Sequence, residues 1–281
     1  STGGIAKHRS TENFRMTRET RGSAVWDPGQ YHRFGDHRLR PALELFERAV
    51  LTLDGQVPGE AYDLGCGAGE IAKIMAAQWP ETNVIGLDSS QEMLDKAKAG
   101  YDGAVEWRLA DVFQFTAEPK ADLLFSNAMF QWVDGHLDLF PRLVAQLAAN
   151  GVLAIQMPLS FGQTSHKLLR ETLENYGSSD LRKAVGRKWV EDADWYYDLL
   201  KPLTSHLDIW EVTYQQVLQG DDPVLEWVKG SALRPVLTAL PTDESERFLA
   251  DYGSVLRKAY PKRAGGETLF PFQRLFIVAR R

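Results

Sequence analysis

A glycine-rich segment that follows a short apolar run near residue 60 carries the clearest chemical signal. Asp63-Leu64 leads into Gly65-Cys66-Gly67-Ala68-Gly69, and a helical pattern begins at Glu70. Glycines let the backbone adopt positive φ and approach a ligand closely. The spacing is not the dinucleotide pattern G-x-G-x-x-G, and the Asp63 carboxylate would repel a pyrophosphate but suit a cation such as an ammonium group. The segment predicts a ligand site; a tight turn without a ligand is the alternative.

Two further carboxylates stand where predicted strands end. Asp88 closes the run Gly86-Leu87-Asp88, where an acidic group can accept hydrogen bonds from ribose hydroxyls; capping the next helix is its alternative role. Asp111 follows Leu109-Ala110 and could accept from an exocyclic adenine amine, or simply form a turn. Carboxyl ends of parallel strands share one edge of a sheet, so the three carboxylates together predict a nucleoside site.

The elements that must position these residues alternate along the chain. Apolar segments at 61–64, 83–88, 105–109, 121–127 and 152–157 predict strands, and helical patterns at 41–51, 70–78, 91–99 and 137–149 predict the helices that precede and separate them. Such alternation is typical of a parallel sheet covered on both faces, so we expect an α/β, doubly wound fold.

Beyond residue 158 the pattern becomes mainly helical. Helices are predicted at 165–176, 194–200, 224–229 and 244–259, around strands at 206–214 and 274–278. We expect a single domain over 23–281, with a core at about 38–158 and helical cap segments at about 159–205 and 220–265. The cap would cover the carboxyl edge of the sheet, where open α/β sheets bind ligands. The polar stretch 1–22 is predicted to be a disordered extension.

Composition excludes several classes of protein. The 281 residues are 44% hydrophobic and 25% charged, which is typical of a globular protein. No run approaches the ~18 apolar residues of a membrane span, and the net charge of −6 disfavours a non-specific nucleic-acid binder. With one cysteine, Cys66, no internal disulfide can form. The histidines show no metal-site spacing, and the start has no signal-peptide core, so we expect a cytoplasmic protein without a metal.

These motifs resemble those of the class I S-adenosylmethionine-dependent methyltransferases. The order D-L-G-C-G-x-G, G-L-D-S-S-x-x-M-L and A-D-V extends over about 57–158. The resemblance implies a seven-stranded Rossmann-like sheet whose last strand is antiparallel. It also implies that the glycines contact the methionine part of the cofactor, that Asp88 binds the ribose, that Met93 flanks the adenine and that Asp111 with Val112 reaches the adenine edge. The predicted cofactor-binding residues are Asp63, Gly65, Cys66, Gly67, Gly69, Asp88, Ser89, Met93, Asp111, Val112 and Asn127. For Cys66, a role as a small side chain that packs in the interior is favoured over a role as a catalytic thiol.

A closer resemblance extends across nearly the whole chain. Trp26-Asp27-Pro28, Gln131-Trp132-Val133, Ser165-His166 and the run Phe270 to Phe276 are similar to segments of the trans-aconitate 2-methyltransferases. The implied reaction is methyl-ester formation on one carboxylate of a small polycarboxylic acid, most simply trans-aconitate. A carboxylate with a pKa near ~4 is already ionised at neutral pH, so the reaction requires no catalytic base.

The acceptor site must then supply cations and hydrogen-bond donors for the other carboxylates, and arginine does this with two parallel hydrogen bonds. The predicted acceptor-binding residues are Tyr31, Arg38, Arg40, Gln131, Trp132, His166, Tyr197, Arg234 and Arg274. The chain departs from the family after Met157-Pro158, where Leu159-Ser160 replaces an Asp-Asn pair. This change makes a less polar acceptor credible.

Several alternatives stay open at the level of sequence. One is a methyltransferase for a less polar acid or for a hydroxyl or amine of a specialised metabolite. Another is a non-catalytic protein that binds the cofactor on a methyltransferase fold. A dehydrogenase is disfavoured by the glycine spacing. Methylation of nucleic acid is disfavoured because Asn127-Ala128-Met129-Phe130 stands where an Asn-Pro-Pro-aromatic segment would be needed.

Overall fold

The computed structural model describes residues 39–281. The predicted extension 1–22 and the segment around Trp26 lie outside the described residues. The helices are α1 Arg40–Thr52, α2 Glu70–Gln78, α3 Gln91–Lys98, α4 His136–Gln146, α5 Thr164–Leu173, α6 Ser179–Val185, α7 Ala193–Leu200, α8 Pro223–Lys229, α9 Arg234–Ala239 and α10 Thr242–Ala259. The strands are β1 Glu60–Leu64, β2 Asn83–Asp88, β3 Val105–Leu109, β4 Ala121–Asn127, β5 Leu147–Pro158, β6 His206–Leu218 and β7 Thr268–Arg280.

The strands form one seven-stranded sheet in the order β3-β2-β1-β4-β5-β7-β6. Strands β1 to β5 pair in parallel, whereas β7 is antiparallel to both of its neighbours, β5 and β6. The expected α/β fold, doubly wound and with an antiparallel last strand, is confirmed. The carboxyl ends of β1, β2 and β4 therefore meet at one edge, as the candidate residues require.

Helices cover both faces because the central strands are apolar on both sides. Along β4, Leu123 packs with Phe46 of α1 and Met75 of α2, whereas its neighbour Leu124 packs with Leu143 of α4 on the opposite face. All five side chains are nearly or fully buried. Burying side chains of this size stabilises the fold by about 1.5–3 kcal/mol each, so the sheet edge stands on a well-packed base.

The antiparallel pairing of β6 with β7 extends further than predicted. Strand β5 ends at Pro158, opposite Arg274, but β6 and β7 continue their pairing as far as Leu218 and Thr268. The predicted ends at 214 and 274 were wrong because glutamines and a proline interrupt the apolar alternation there. The pairing of β6 with β7 nevertheless continues through these residues. The local sequence pattern does not reveal the register between the two strands.

A third apolar cluster lies on this extension and forms the cap. Phe270 of β7 is fully buried among residues from α5, α6, α8, α9 and α10. The hydroxyl of Tyr252 donates to the Ser165 carbonyl (2.8 Å), and the Tyr260 hydroxyl accepts from the Ser165 amide (3.0 Å), so these bonds tie α5 to α10 and its end. The cap is thus anchored to the extension of β6 and β7 beyond the end of β5.

Two local predictions are corrected by the structure. The helix predicted over 137–149 ends at Gln146, because Leu147 already pairs with Ala121 of β4. The short helices α6 and α9 were not predicted, since six or seven residues give little helical periodicity. Within the described residues, no helix combines the length and the apolar character needed to cross a membrane.

Candidate active site

The glycine loop joins β1 to α2 at the carboxyl edge of the sheet. Gly65, Gly67 and Gly69 have φ of +71°, +55° and +80°. A Cβ on Gly65 would lie 2.3 Å from the Cγ of Met129, so this position must be glycine for packing. A Cβ on Gly67 would meet no atom of residues 39–281 within 4 Å. Among the described residues, Gly67 therefore borders open space that a ligand can enter.

Asp88 holds the loop in place. Its Oδ2 accepts from the Gly67 amide (2.9 Å) and its Oδ1 from the Ser90 amide (2.8 Å). The amides of Gly65 and Cys66 both donate to the Leu87 carbonyl at 2.8 Å. The ends of β1 and β2 thus form one unit, and each Asp88 oxygen keeps a second lone pair for a ligand.

Asp63 is buried beneath the loop. Burial raises its pKa to about 7, and a backbone hydrogen bond from Ala72 opposes that rise. A cation near this carboxylate would lower the pKa again. The Cys66 thiol is also buried, and burial raises its pKa. A thiol held in its protonated form is a poor nucleophile, in agreement with the packing role.

The other predicted cofactor residues lie around the same edge. The Oδ1 of Asp111 accepts from the Phe113 amide (2.9 Å), which forms a local turn. Val112 and Met93 are half-buried and Ser89 is exposed. The Asn127 side chain is not exposed, and its Oδ1 is buried without a hydrogen-bond partner in the described part of the chain.

A cavity of about 1220 Å³ lies between this edge and the cap. The predicted residues that line it are Asn127, Gln131, Trp132, His166 and Arg274. Arg40, Tyr197 and Arg234 do not line it, and Tyr31 and Arg38 lie outside the described residues. Sequence reasoning missed Arg170, which also lines the cavity.

Arg274 is the most deeply placed cation on the cavity wall. Its Nη1 donates to Gln156 Oε1 (3.2 Å), and its Cζ lies 4.4 Å from the centre of the Phe272 ring. Within residues 39–281 its Nε has no partner, and none of the acidic residues there forms an ion pair with it. Burial lowers the pKa of Arg274 to about 10, so the group stays charged at neutral pH and has no counter-charge among the described residues.

The other predicted arginines have different surroundings. Arg40 is exposed and pairs with Glu44 (2.7 Å), which also accepts from the Tyr214 hydroxyl (2.5 Å). Arg40 lies 5.2 Å from the Tyr214 ring, so Tyr214 connects it to the region of Arg274. Arg234, on α9, is exposed, and Tyr197, on α7, is 47% exposed.

His166 and Arg170 approach the cavity from one face of α5. The Nδ1 of His166 lies 3.2 Å from Ser165 Oγ, and burial, with the nearby charge of Arg170, lowers the pKa of His166 to about 4. Arg170 donates to the Phe161 carbonyl (2.9 Å) and stacks 4.1 Å from the ring centre of Phe161. In the described part of the chain Arg170 also has no ion-pair partner, so a neutral imidazole and a second guanidinium face the cavity.

The segment after β4 shapes the border between the cavity and the glycine loop. Ala128 has φ of +54°, a strained conformation for an alanine, and its amide donates to the Gln156 carbonyl (2.9 Å). Gln131 Nε2 donates to the Ala128 carbonyl (2.6 Å), and its Oε1 is buried without a partner among residues 39–281. Trp132 is 62% exposed on the cavity side. Strain at such a position is typical of ligand sites.

The sheet order, the glycine loop and the acidic strand ends together define a Rossmann-like methyltransferase. Comparison with known proteins agrees: residues 61–151 match a family described as a methyltransferase domain. A Bacillus subtilis protein, YcgJ, shares the fold with a TM-score of 0.55 at 13% identity, over 85% of this chain and 98% of that one. A structure from Galdieria sulphuraria, titled a putative sarcosine dimethylglycine methyltransferase, gives a TM-score of 0.52 at 17% identity, over 86% of this chain and 85% of that one.

Curated relatives narrow the class further. The trans-aconitate 2-methyltransferase of Azoarcus sp. strain BH72 is 42% identical over 257 residues, which cover 92% of this chain and 99% of the relative. That of Streptomyces avermitilis is also 42% identical and covers 91% and 97% of the two chains. The chain belongs to the trans-aconitate 2-methyltransferase family. It is therefore an enzyme that uses S-adenosylmethionine, neither a dehydrogenase nor a non-catalytic binding protein.

The described residues fit this cofactor. The space beside Gly67 can admit the ligand, and Asp63 is close enough to the loop residue Cys66 to affect its pKa. The unpartnered Asn127 Oδ1 can accept a hydrogen bond from a bound group.

Proposed function

We propose that the enzyme transfers the methyl group of S-adenosylmethionine to one carboxylate of trans-aconitate and so forms a methyl ester. The proposal follows from the names of the relatives, which are trans-aconitate 2-methyltransferases at about 40% identity over most of the chain. The observation that carries it in this molecule is the half-buried Arg274, which faces the cavity without an acidic partner among residues 39–281. An anion in the cavity would supply the missing counter-charge to this guanidinium.

The cofactor would lie across the carboxyl edge of β1, β2 and β4. In this proposal the glycine loop holds its methionine part, with Asp63 near its ammonium group, and Asp88 accepts from its ribose hydroxyls. Met93, Asp111 and Val112 would surround the adenine, as the family resemblance implies. When bound, the cofactor supplies an electrophilic methyl group on a sulfonium centre. The roles of the chain are to orient this group and to keep it away from water.

The acceptor would lie in the cavity, with its carboxylates held by Arg274 and Arg170. His166, neutral at pH 7, can donate one hydrogen bond without adding charge. A carboxylate is ionised well below pH 7, so no side chain needs to remove a proton. Catalysis then rests on holding the carboxylate oxygen in line with the methyl group in a site that excludes water.

The test is a transfer assay with methyl-labelled cofactor against di- and tricarboxylic acids, with longer fatty and aromatic acids alongside. We expect label on trans-aconitate that is released by mild base, because esters hydrolyse in base. No label on any polycarboxylic acid, despite measurable cofactor binding, would contradict the proposed acceptor.

The size and lining of the cavity favour a second candidate, a less polar acid. Its volume of about 1220 Å³ exceeds the usual 300–1,000 Å³ of small-molecule sites. Leu159, Phe161, Trp227, Phe270 and Phe272 supply apolar wall. Label on fatty or aromatic acids alone would establish this candidate. It would also argue against the proposed binding of several acceptor carboxylates by Arg274 and Arg170.

We further propose that the acceptor is a free small molecule in the cytoplasm and not a nucleic acid. A net charge of −6 opposes binding to phosphate backbones. A cavity under a cap suits a small acid better than a polymer. Methylation of RNA or DNA in the same labelled assay would overturn this part of the proposal.

A further inference from the structure

Unpaired polar atoms gather beside the cavity, where β4, β5 and β7 meet. Among residues 39–281, six buried side-chain atoms lack a hydrogen-bond partner, and four of them belong to Asn127, Gln131, Gln156 and Arg274. The two on Asn127 and Gln131 are oxygens, whereas those on Gln156 and Arg274 are nitrogens that carry N–H groups. Asn127, Gln131 and Arg274 line the cavity, whereas Gln156 is fully buried behind it.

The two donors belong to one hydrogen-bonded pair. Gln156 is fully buried, and its Oε1 accepts from Arg274 Nη1 at 3.2 Å. A guanidinium can only donate, so the oxygen of the amide must face Arg274 and its NH₂ must face elsewhere. Gln156 Nε2 and Arg274 Nε are left as donors without a partner among residues 39–281.

The sheet register explains why the pair meets at the cavity. Gln156 is the partner of Asn127 on β4 and of Phe276 on β7. Arg274 stands two residues before Phe276, so its side chain leaves the same face of the sheet as that of Gln156. Asn127 and Arg274 both line the cavity, and Gln156 lies between them in the sheet.

A carboxylate satisfies Arg274 better than other ligands do. It brings the counter-charge that Arg274 lacks within the described chain, and its oxygens can accept from the guanidinium, which lines the cavity. A carboxylate held in this way has its lone pairs engaged and is a weaker nucleophile. The carboxylate bound here is therefore not the one that is methylated.

We infer that Gln156 is a positioning and specificity-determining residue, which orients Arg274 through their hydrogen bond so that Arg274 binds a second, non-reacting carboxylate of the acceptor. The inference rests on the proposed carboxylate methylation. It implies that the enzyme selects acids with at least two carboxylates, and that Gln156 contributes to this selection.

The test compares Gln156→Leu and Gln156→Glu with the wild type. For trans-aconitate we expect Gln156→Leu to raise KM about tenfold, as for a lost hydrogen bond to a charged group, with kcat changed less than twofold. Gln156→Glu should raise KM further, because its carboxylate pairs with Arg274 and repels the acceptor. The KM for a monocarboxylic acid such as crotonate should not change in either variant. A general structural defect would instead raise the KM for both kinds of acid.

Arg280→Gln is the matched control. Arg280 also has a buried Nε without a partner among the described residues, but it lies at the other end of β7, opposite Val152. We expect its KM for trans-aconitate to equal that of the wild type. A wild-type KM in both Gln156 variants would overturn the inference and leave the proposed function intact.

Calorimetry separates the two proposals if the wild type methylates no polycarboxylic acid. In the presence of S-adenosylhomocysteine, the wild type should bind propane-1,2,3-tricarboxylate at least tenfold more tightly than Gln156→Leu does. Equal binding, or no binding by the wild type, would overturn the inference. Unchanged affinity for S-adenosylhomocysteine in the variants shows that they are folded.

Discussion

At the scale of single residues, the proposed acceptor site depends on charges that have no ion-pair partner among residues 39–281. Arg274 is held by an amide and an aromatic ring and has no acid beside it among the described residues, whereas Arg48 and Arg257 form ion pairs with Asp208 and Asp222. The same residue type thus has two roles, and only the surroundings in the folded chain distinguish them.

Replacing Arg274 tests the role of this charge. We expect Arg274→Gln to lower kcat/KM for trans-aconitate at least a hundredfold, since it removes a charge-assisted pair from a desolvated site. Affinity for S-adenosylhomocysteine, measured by calorimetry, should stay within twofold. Arg108→Gln, which removes an exposed arginine paired with Glu106 on β3, serves as the control. Equal activity in the two variants would contradict the role of Arg274.

Asp63 gives a prediction about pH. Its pKa is raised to about 7 by burial. In the proposed site the cofactor's ammonium group lies near Asp63 and favours its ionised form, so cofactor binding is expected to release a proton when the pH is below that value. Affinity for S-adenosylhomocysteine should therefore be about tenfold weaker at pH 6 than at pH 8. In Asp63→Asn we expect weaker binding that changes less with pH. Parallel pH profiles for the two proteins would contradict this role.

At the scale of elements, the glycine loop is the part most exposed to a small change. Gly67→Ala places a methyl group in the ligand space at φ of +55°, where an alanine costs about 1–2 kcal/mol. We expect cofactor affinity to fall at least tenfold, as measured by calorimetry.

Gly55→Ala is the matched control for the loop. Gly55 has φ of +77°, and a Cβ there would also meet nothing within 4 Å, but it lies in the turn between α1 and β1. The two variants should lose similar unfolding free energy, and only Gly67→Ala should lose cofactor affinity. Equal cofactor affinity in both would show that the space beside Gly67 is not used.

Helices, strands and loops differ in how well the sequence predicts them. The loop, its strands and the positions of His166 and Arg274 were predictable, because local pattern and motif determine them. Arg170 could have been found four residues after His166, on the same helix face. Gln156 could have been noticed as a polar residue within a buried strand. The pair that Gln156 forms with Arg274 depends on the register between β5 and β7, which no local pattern contains.

At the scale of the whole molecule, buried histidines make stability depend on pH. His136 links α4 to α7 and to the segment after β4, through Tyr196 Oη (2.7 Å) and the Phe130 carbonyl (3.0 Å). Burial lowers its pKa from 6.5. Below pH 6.5 the unfolded chain therefore binds more protons than the folded one, and stability falls as the pH falls.

This effect can be isolated by substitution. Denaturant unfolding should show that His136→Gln is less stable than the wild type at pH 7.5, and that the difference shrinks towards pH 5. His206→Gln, at an exposed position on β6, should leave the pH dependence unchanged. A constant difference between His136→Gln and the wild type at all pH values would exclude His136 as the source.

The order of segments along the chain has a consequence for evolution. The loop and strand ends proposed for the cofactor come from residues 60–127, whereas the cap comes from segments on either side of β6, after the parallel core is complete. The general methyltransferase family matches only residues 61–151. Because the cap is anchored on the extension of β6 and β7, substitutions in its helices can change the acceptor without changing the residues proposed to bind the cofactor. New acceptors can thus arise within this lineage one cap residue at a time, while the ability to bind the methyl donor is inherited unchanged.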